Sequence, residues 1–267
     1  MFEQYFSLTR IPFSRDIPEE ELYSTPNIEE LCERLQYAAR NGLFAVITGD
    51  VGTGKTTALR KLVGSLDINR YKLMYISDSA LTPRNFYWEV LNQLGCEAKF
   101  YRGDAKRQLT RELSNLIETQ KRIPVIISDE VHLLSREMLE EVRFLLNFKM
   151  DSYNPMSLIL AGQSELRDIL KKQIYEAICQ RIDIRYHLTP YDRQQTGEYI
   201  KKHLEYAGET RDIFTEKAIG EIYDYSHGVA RKINKVCITC LMHAAQRQTK
   251  LIDDHVVRLI IEDEFSW

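Results

Sequence analysis

Eight residues, Gly49-Asp50-Val51-Gly52-Thr53-Gly54-Lys55-Thr56, place glycine, lysine and a hydroxyl at the spacing G-x-x-x-x-G-K-[ST]. Glycines let successive backbone N–H groups point inward at phosphate oxygens, and a helix opening near Gly54 adds the positive end of its dipole. In that arrangement Lys55 reaches the β- and γ-phosphates and Thr56 offers its hydroxyl to Mg2+, while Gly49, Gly52, Thr53, Gly54 and Thr57 line the cradle. The chemistry implied is binding of a nucleoside triphosphate with Mg2+. A plain glycine turn between a strand and a helix is the alternative.

A second cluster closes the run Ile123-Pro124-Val125-Ile126-Ile127-Ser128 with Asp129-Glu130. An apolar, β-branched run ending in two carboxylates is how a buried parallel strand delivers acids to the C-terminal edge of a sheet. This is a Walker B pattern: Asp129 is expected to hold Mg2+ through water, and Glu130, beside the metal instead of on it, to polarise the attacking water. Hydrolysis of the bound nucleoside triphosphate is therefore the expected reaction. Gln163, just after a later apolar run, is placed to reach the γ-phosphate or that water, or is an ordinary loop glutamine. Arg181 precedes the last such run and Arg185 lies within it. Either can project into a neighbouring subunit's site and stabilise transition-state charge; an ion pair with Asp183 is the bland alternative for Arg181.

Groups like these need a sheet edge to stand on. Apolar runs at residues 43–48, 72–77, 123–128, 157–162 and 183–188, separated by helical-period sequence, predict five parallel strands. Thr25-Pro26 reads as an N-cap with proline in the first turn of a helix running toward Arg40. After Thr189-Pro190 the strand pattern stops, and amphipathic helices are predicted near 192–206, 215–226, 230–246 and 253–262. The expected architecture is α/β: a five-stranded parallel sheet flanked by helices over residues 1–190 and an all-helical lid over 191–267.

Composition agrees with a globular chain: 267 residues, 44% hydrophobic and 28% charged. The five cysteines, Cys32, Cys96, Cys179, Cys237 and Cys240, are an odd number, and Met1-Phe2-Glu3-Gln4-Tyr5 lacks the basic start and apolar stretch of a signal peptide. A reducing, cytoplasmic location is expected. No apolar stretch approaches the ~20 residues needed to span a bilayer. Cys237-x-x-Cys240 shares an apolar helical stripe with Ile233, Val236, Leu241 and Ala244, which points to core packing and not to zinc. The six histidines have no metal-ligand spacing, so Mg2+ is the one metal expected.

The order of these motifs, followed by Gly228-Val229-Ala230-Arg231 in the helical segment, resembles the AAA+ ATPases of the P-loop NTPase class. The resemblance implies that Gly228-x-x-Arg231 is a sensor 2 motif whose Arg231 touches the γ-phosphate in its own subunit; Ala230 stands where that signature often has proline. More narrowly, the runs LEEVRFLLNF from Leu139 to Phe148 and ILAGQSELR from Ile159 to Arg167, with Pro12-Phe13, are similar to the general secretion pathway A (ExeA-like) ATPases. That module is shared with transposition regulators of the TniB and TnsC kind. The resemblance implies ATP-dependent self-assembly into a ring or helical filament, with nucleotide at subunit interfaces. It also implies adenine contacts from an N-terminal strap at Ile11, Pro12 and Phe13, for which hydrophobic anchoring is the alternative. Secretion-type members usually continue into a membrane segment and a peptidoglycan-binding region, and this sequence reaches Trp267 with neither. The resemblance on that basis favours a transposition regulator that binds double-stranded DNA and recruits or stimulates a transposase. An ATPase subunit of a secretion or envelope assembly system, without DNA binding, is the other reading. Asp129-Glu130-Val131-His132 also resembles the D-E-x-H box of helicases, but no second RecA-like domain accompanies it.

A net charge of −3 gives no overall attraction for a polyanion, so DNA contact requires a local basic stripe. The best candidate runs from Lys99 through Tyr101, Arg102, Lys106 and Arg107 to Arg111, with five basic residues against one acid. Asp104 is expected to cap the helix that follows, putting Lys106 and Arg107 in its first turn, where cations oppose the helix dipole. Such a stripe contacts phosphates or is simply a solvated face.

Overall fold

The computed structural model describes residues 2–77, 81–146 and 154–265. In chain order the elements are α1 (Phe2–Tyr5), α2 (Pro26–Asn41), β1 (Phe44–Gly49), α3 (Lys55–Ser65), β2 (Tyr71–Ile76), α4 (Pro83–Gln93), α5 (Arg102–Glu118), β3 (Ile123–Ser128) and α6 (Arg136–Leu145). There follow β4 (Ser157–Gly162), α7 (Ser164–Leu170), α8 (Glu176–Cys179), β5 (Ile184–Leu188), α9 (Arg193–Tyr206), α10 (Glu216–Ser226), α11 (Ala230–Gln246) and α12 (Asp254–Phe265). Asn147 and Phe148, part of the secretion-type run, lie outside the described residues.

Contacts divide the chain into two compact units. The first to consider, Asn27–Asp50 with Lys55–Leu188, contains the sheet. Its strands are all parallel, in the order β2-β3-β4-β1-β5. Every residue of β1 and β4 is buried, as expected of strands covered on both faces. Register brings Thr48 beside Gly162 and His187, and Ser128 beside Leu160, so the chain leaves β1, β3 and β4 along one edge. That edge is where an open parallel sheet presents its ligand-binding loops. Pro124 is tolerated in β3 because pairing with β4 begins only at Val125.

Helices α4 and α6 start as their sequences dictate, with the Thr82 and Ser135 hydroxyls accepting from the N–H groups of Asn85 and Met138. Helix α5 departs from expectation. It begins at Arg102, Tyr101 occupies the cap without a side-chain bond, and Asp104 sits inside the first turn. Lys106 and Arg107 consequently fall a turn later, away from the positive end of the dipole. The reason is visible in the packing: Glu141 of α6 is only 2% exposed and receives the Tyr87 hydroxyl, the Arg102 guanidinium and, at 3.0 Å, the Lys106 ammonium. Burial alone would push this carboxyl up, but the Tyr87, Lys106 and Arg102 donors outweigh it and hold it below the usual range.

The other unit comprises Met1–Pro26, Val51–Gly54 and Thr189–Trp267. Its first 26 residues therefore group with the helical segment, whereas the sequence suggested a division near residue 190. They do so through pairings such as Thr9 N–H to Ala207 O at 2.8 Å and Phe13 N–H to His203 Nδ1 at 3.2 Å. Helix α9 opens with a capping box of Asp192 and Gln195, and Thr215 caps α10. Cys237 and Cys240 are buried in α11, where desolvation pushes both thiols up, Cys240 to about 12. Gly228, at φ +73°, lies so close to Tyr191 that an added Cβ would sit 1.8 Å from the Tyr191 carbonyl oxygen. The glycine of the G-x-x-R motif is thus a backbone requirement.

His203 is buried with its Nδ1 occupied by the Phe13 N–H and its ring stacked on Phe13, 5.0 Å between centroids. Burial pulls its pKa from 6.5 to about 4. Between those values the unfolded chain binds a proton that the folded chain refuses, so stability falls as pH drops from about 6.5 to about 4 and levels off below. The full span corresponds to roughly 3 kcal/mol. Chemical denaturation at pH 7 and pH 4.5 should show His203→Gln losing less stability on acidification than the parent; equal losses would contradict the assignment.

Candidate nucleotide-binding site

Strand β1 ends at Gly49 and α3 begins at Lys55, so the glycine-rich residues form the turn between them. Gly52 and Gly54 adopt φ of +82° and +102°, conformations that L side chains rarely adopt. An added Cβ at Gly54 would meet nothing within 4 Å, so that glycine serves conformation alone. At Gly52 it would lie 2.7 Å from the Arg231 Cβ, and the Gly52 carbonyl accepts from the Arg231 N–H at 3.4 Å. Arg231, itself exposed, is thus joined through its backbone to the loop tip within the helical unit. The Lys55 side chain turns back on the loop: its ammonium donates to Gly49 O at 2.7 Å and Asp50 O at 2.9 Å, leaving the residue 7% exposed. Thr53 is buried, Thr57 half-buried and Thr56 exposed. The Ser164 hydroxyl, at the first position of α7, donates to the Asp50 carboxylate.

Asp129 follows β3 and is 4% exposed. Its Oδ2 accepts from the Thr56 hydroxyl at 3.1 Å, which brings the two expected magnesium ligands together. Among the described residues no group of three or more His, Cys, Asp or Glu could hold a metal, and none is needed: Mg2+ is characteristically held by one or two carboxylates plus the phosphates it accompanies. The hydroxyl and carboxylate present fit that ion. Glu130 occupies left-handed backbone, φ 54°, which turns the chain sharply away from the strand and leaves the side chain half-exposed. His132 approaches with Nδ1 3.4 Å from Glu130 Oε2 and 3.4 Å from the backbone N of Gln163.

The remaining expectations fare differently. Gln163 caps α7 through its backbone and is half-buried. Arg181 Nη1 lies 3.4 Å from Leu146 O, and Arg185 donates to Cys179 O. Asp183 accepts the Phe44 N–H at 2.9 Å, so its carboxylate pins β5 to β1. Of the strap, Ile11 is exposed while Pro12 and Phe13 are buried, the Phe13 ring being taken by His203. In the basic stripe Lys99 and Tyr101 are exposed, Arg102 and Lys106 are committed to Glu141, and Arg107 to Asp104. The sequence shows His132 only as part of D-E-x-H, gives Glu141 and Ser164 no role although both lie in the runs similar to the secretion-type ATPases, and offers no motif for Tyr75 and Gln93.

Residues 38–170 match the AAA domain family. By structure the chain resembles Cdc6p from Pyrobaculum aerophilum, with a TM-score of 0.66 and 18% identity over 94% of this chain and 68% of that one. It also resembles the RuvB Holliday junction branch migration motor of Thermotoga maritima, with a TM-score of 0.59 and 17% identity over 90% and 69%. The fold is that of a P-loop NTPase, a five-stranded parallel sheet flanked by helices with a helical C-terminal part, and the stretch similar to the AAA domain covers the strands from β1 to β4. Across all of its length it is 32% identical to general secretion pathway protein A of Aeromonas hydrophila, and it spans about half, 50%, of that relative.

Proposed function

We propose that the chain binds and hydrolyses ATP as the assembly module of a secretion or envelope-assembly pathway. The observation that supports this most is the 32% identity to general secretion pathway protein A along the whole chain. Because the chain spans half of that relative, the point where this sequence ends no longer favours a transposition regulator. Likeness to Cdc6p and RuvB below 20% identity speaks for fold and not for DNA. The stripe offered for double-stranded DNA has given Arg102 and Lys106 to a buried carboxylate, which leaves less charge for phosphates, and the similarity to a secretion-pathway protein gives a transposase partner no support. Among the described residues no helix is long and apolar enough to cross a membrane.

In this reading Lys55 exchanges two loop carbonyls for phosphate oxygens, and the backbone N–H groups of Gly52, Thr53 and Gly54 surround the phosphates. Thr56 and Asp129 would hold Mg2+, which would neutralise charge on the phosphates. Glu130 would orient the attacking water and accept its proton, Gln163 would reach the γ-phosphate or that water, and Arg231 would sense the terminal phosphate. Arg181 or Arg185 is presented to the site of a second copy.

Light scattering with ATP, ADP or a non-hydrolysable analogue, each with and without double-stranded DNA, tests the assignment. Assembly that requires ATP and ignores DNA is expected. Assembly that requires both would return the transposition-type reading, and any DNA binding that persists should then weaken steeply with salt.

A further inference from the structure

Both carboxylate oxygens of Asp129 are engaged. Oδ1 accepts the Glu130 N–H at 2.8 Å, and Oδ2 accepts two hydroxyls at 3.1 Å, one from Thr56 and one from the phenol of Tyr75. Thr56 and Asp129 already belong to the nucleotide reading; Tyr75 belongs to no motif. It lies on β2, the strand at the edge of the sheet. An edge strand leaves backbone groups without a neighbouring strand, and at Tyr75 one side chain replaces that neighbour. Gln93, the last residue of α4, accepts the Tyr75 N–H through Oε1 at 3.0 Å and donates through Nε2 to the Tyr75 carbonyl at 2.8 Å. The same amide nitrogen donates to Glu89 Oε1 at 2.8 Å, which fixes the direction in which the amide faces. A clamp of this kind holds one residue of the strand in place, and the phenol of that residue ends on the metal-binding carboxylate.

We propose that Tyr75 is a positioning residue for the magnesium ion of this site, its phenol orienting Asp129 and its backbone held by the Gln93 amide. This rests on the nucleotide reading above. At neutral pH a tyrosine hydroxyl carries its proton and can only donate to a carboxylate, so the contact locks the carboxylate plane without competing for the ion. Partners that orient a metal ligand in this way typically govern affinity for the ion by 10–100-fold.

The measurement is equilibrium binding of a fluorescent, non-hydrolysable ATP analogue, first in EDTA and then titrated with Mg2+. In Tyr75→Phe the Mg2+ concentration that gives half of the binding enhancement should rise about 10- to 100-fold, with affinity in EDTA unchanged. Gln93→Leu keeps the phenol but releases the strand, and should move the Mg2+ midpoint the same way by less. An unchanged Mg2+ midpoint in Tyr75→Phe overturns the proposal and leaves the nucleotide reading standing. Equal loss of affinity in EDTA and in Mg2+ also overturns it, because Tyr75 would then serve the fold. Absence of analogue binding by the parent protein in both media overturns the nucleotide reading and this inference together.

Discussion

Lys55→Ala is expected to lose nucleotide binding by a factor of about 100 to 10,000 in calorimetric titration. Hydrogen bonds to charged groups contribute about 1.5–3 kcal/mol each, and two phosphate contacts at that rate give this range at about 1.4 kcal/mol per tenfold. The structure adds a second consequence. The ammonium satisfies Gly49 O and Asp50 O, so truncation deprives two loop carbonyls of a donor and is expected to cost stability by up to a few kcal/mol. Lys55→Arg, which retains charge and donors, separates the two effects: it should recover much of the stability and little of the affinity, because a planar guanidinium does not reproduce a point ammonium in a tight loop. ATP binding of parental strength in Lys55→Ala would refute the phosphate-loop assignment.

Glu130→Gln should bind ATP as the parent does and release phosphate 100- to 10,000-fold more slowly, the range for removing a general base. The amide preserves volume and the exposed, left-handed position of residue 130, so folding is not at stake. Slow turnover with intact binding should also trap the ATP-assembled form. Phosphate release at the parental rate would take the role away from Glu130.

How legible an element is in the sequence depends on the range of the interaction that forms it. The five strands lie within one residue of where apolar runs placed them, and α11 coincides with its predicted span, because those signals are local and periodic. The phosphate loop and the Asp129-Glu130 pair were legible for the same reason: their chemistry is written in consecutive residues. Helix α5 was misread at its start because what places Arg102 and Lys106 is Glu141, some 40 positions later, and no propensity of the 99–111 stretch reports a distant buried carboxylate. The grouping of residues 1–26 with the helical unit depends on partners such as Ala207 and His203, nearly two hundred residues away. Tyr75 was invisible because an aromatic residue in an apolar strand reads as packing, and only its hydroxyl and the opposing Gln93 amide reveal otherwise.

The imidazole of His132 has a consequence of its own. A single nitrogen, Nδ1, stands at equal distance from the Glu130 carboxylate and from the Gln163 N–H. Without a hydrogen it can accept from Gln163 and repels the carboxylate; with one it can donate to Glu130 and must let the N–H go. Through that one atom the two hydrogen bonds are mutually exclusive, so the ring can tie down the glutamate or the start of α7 but never both at once.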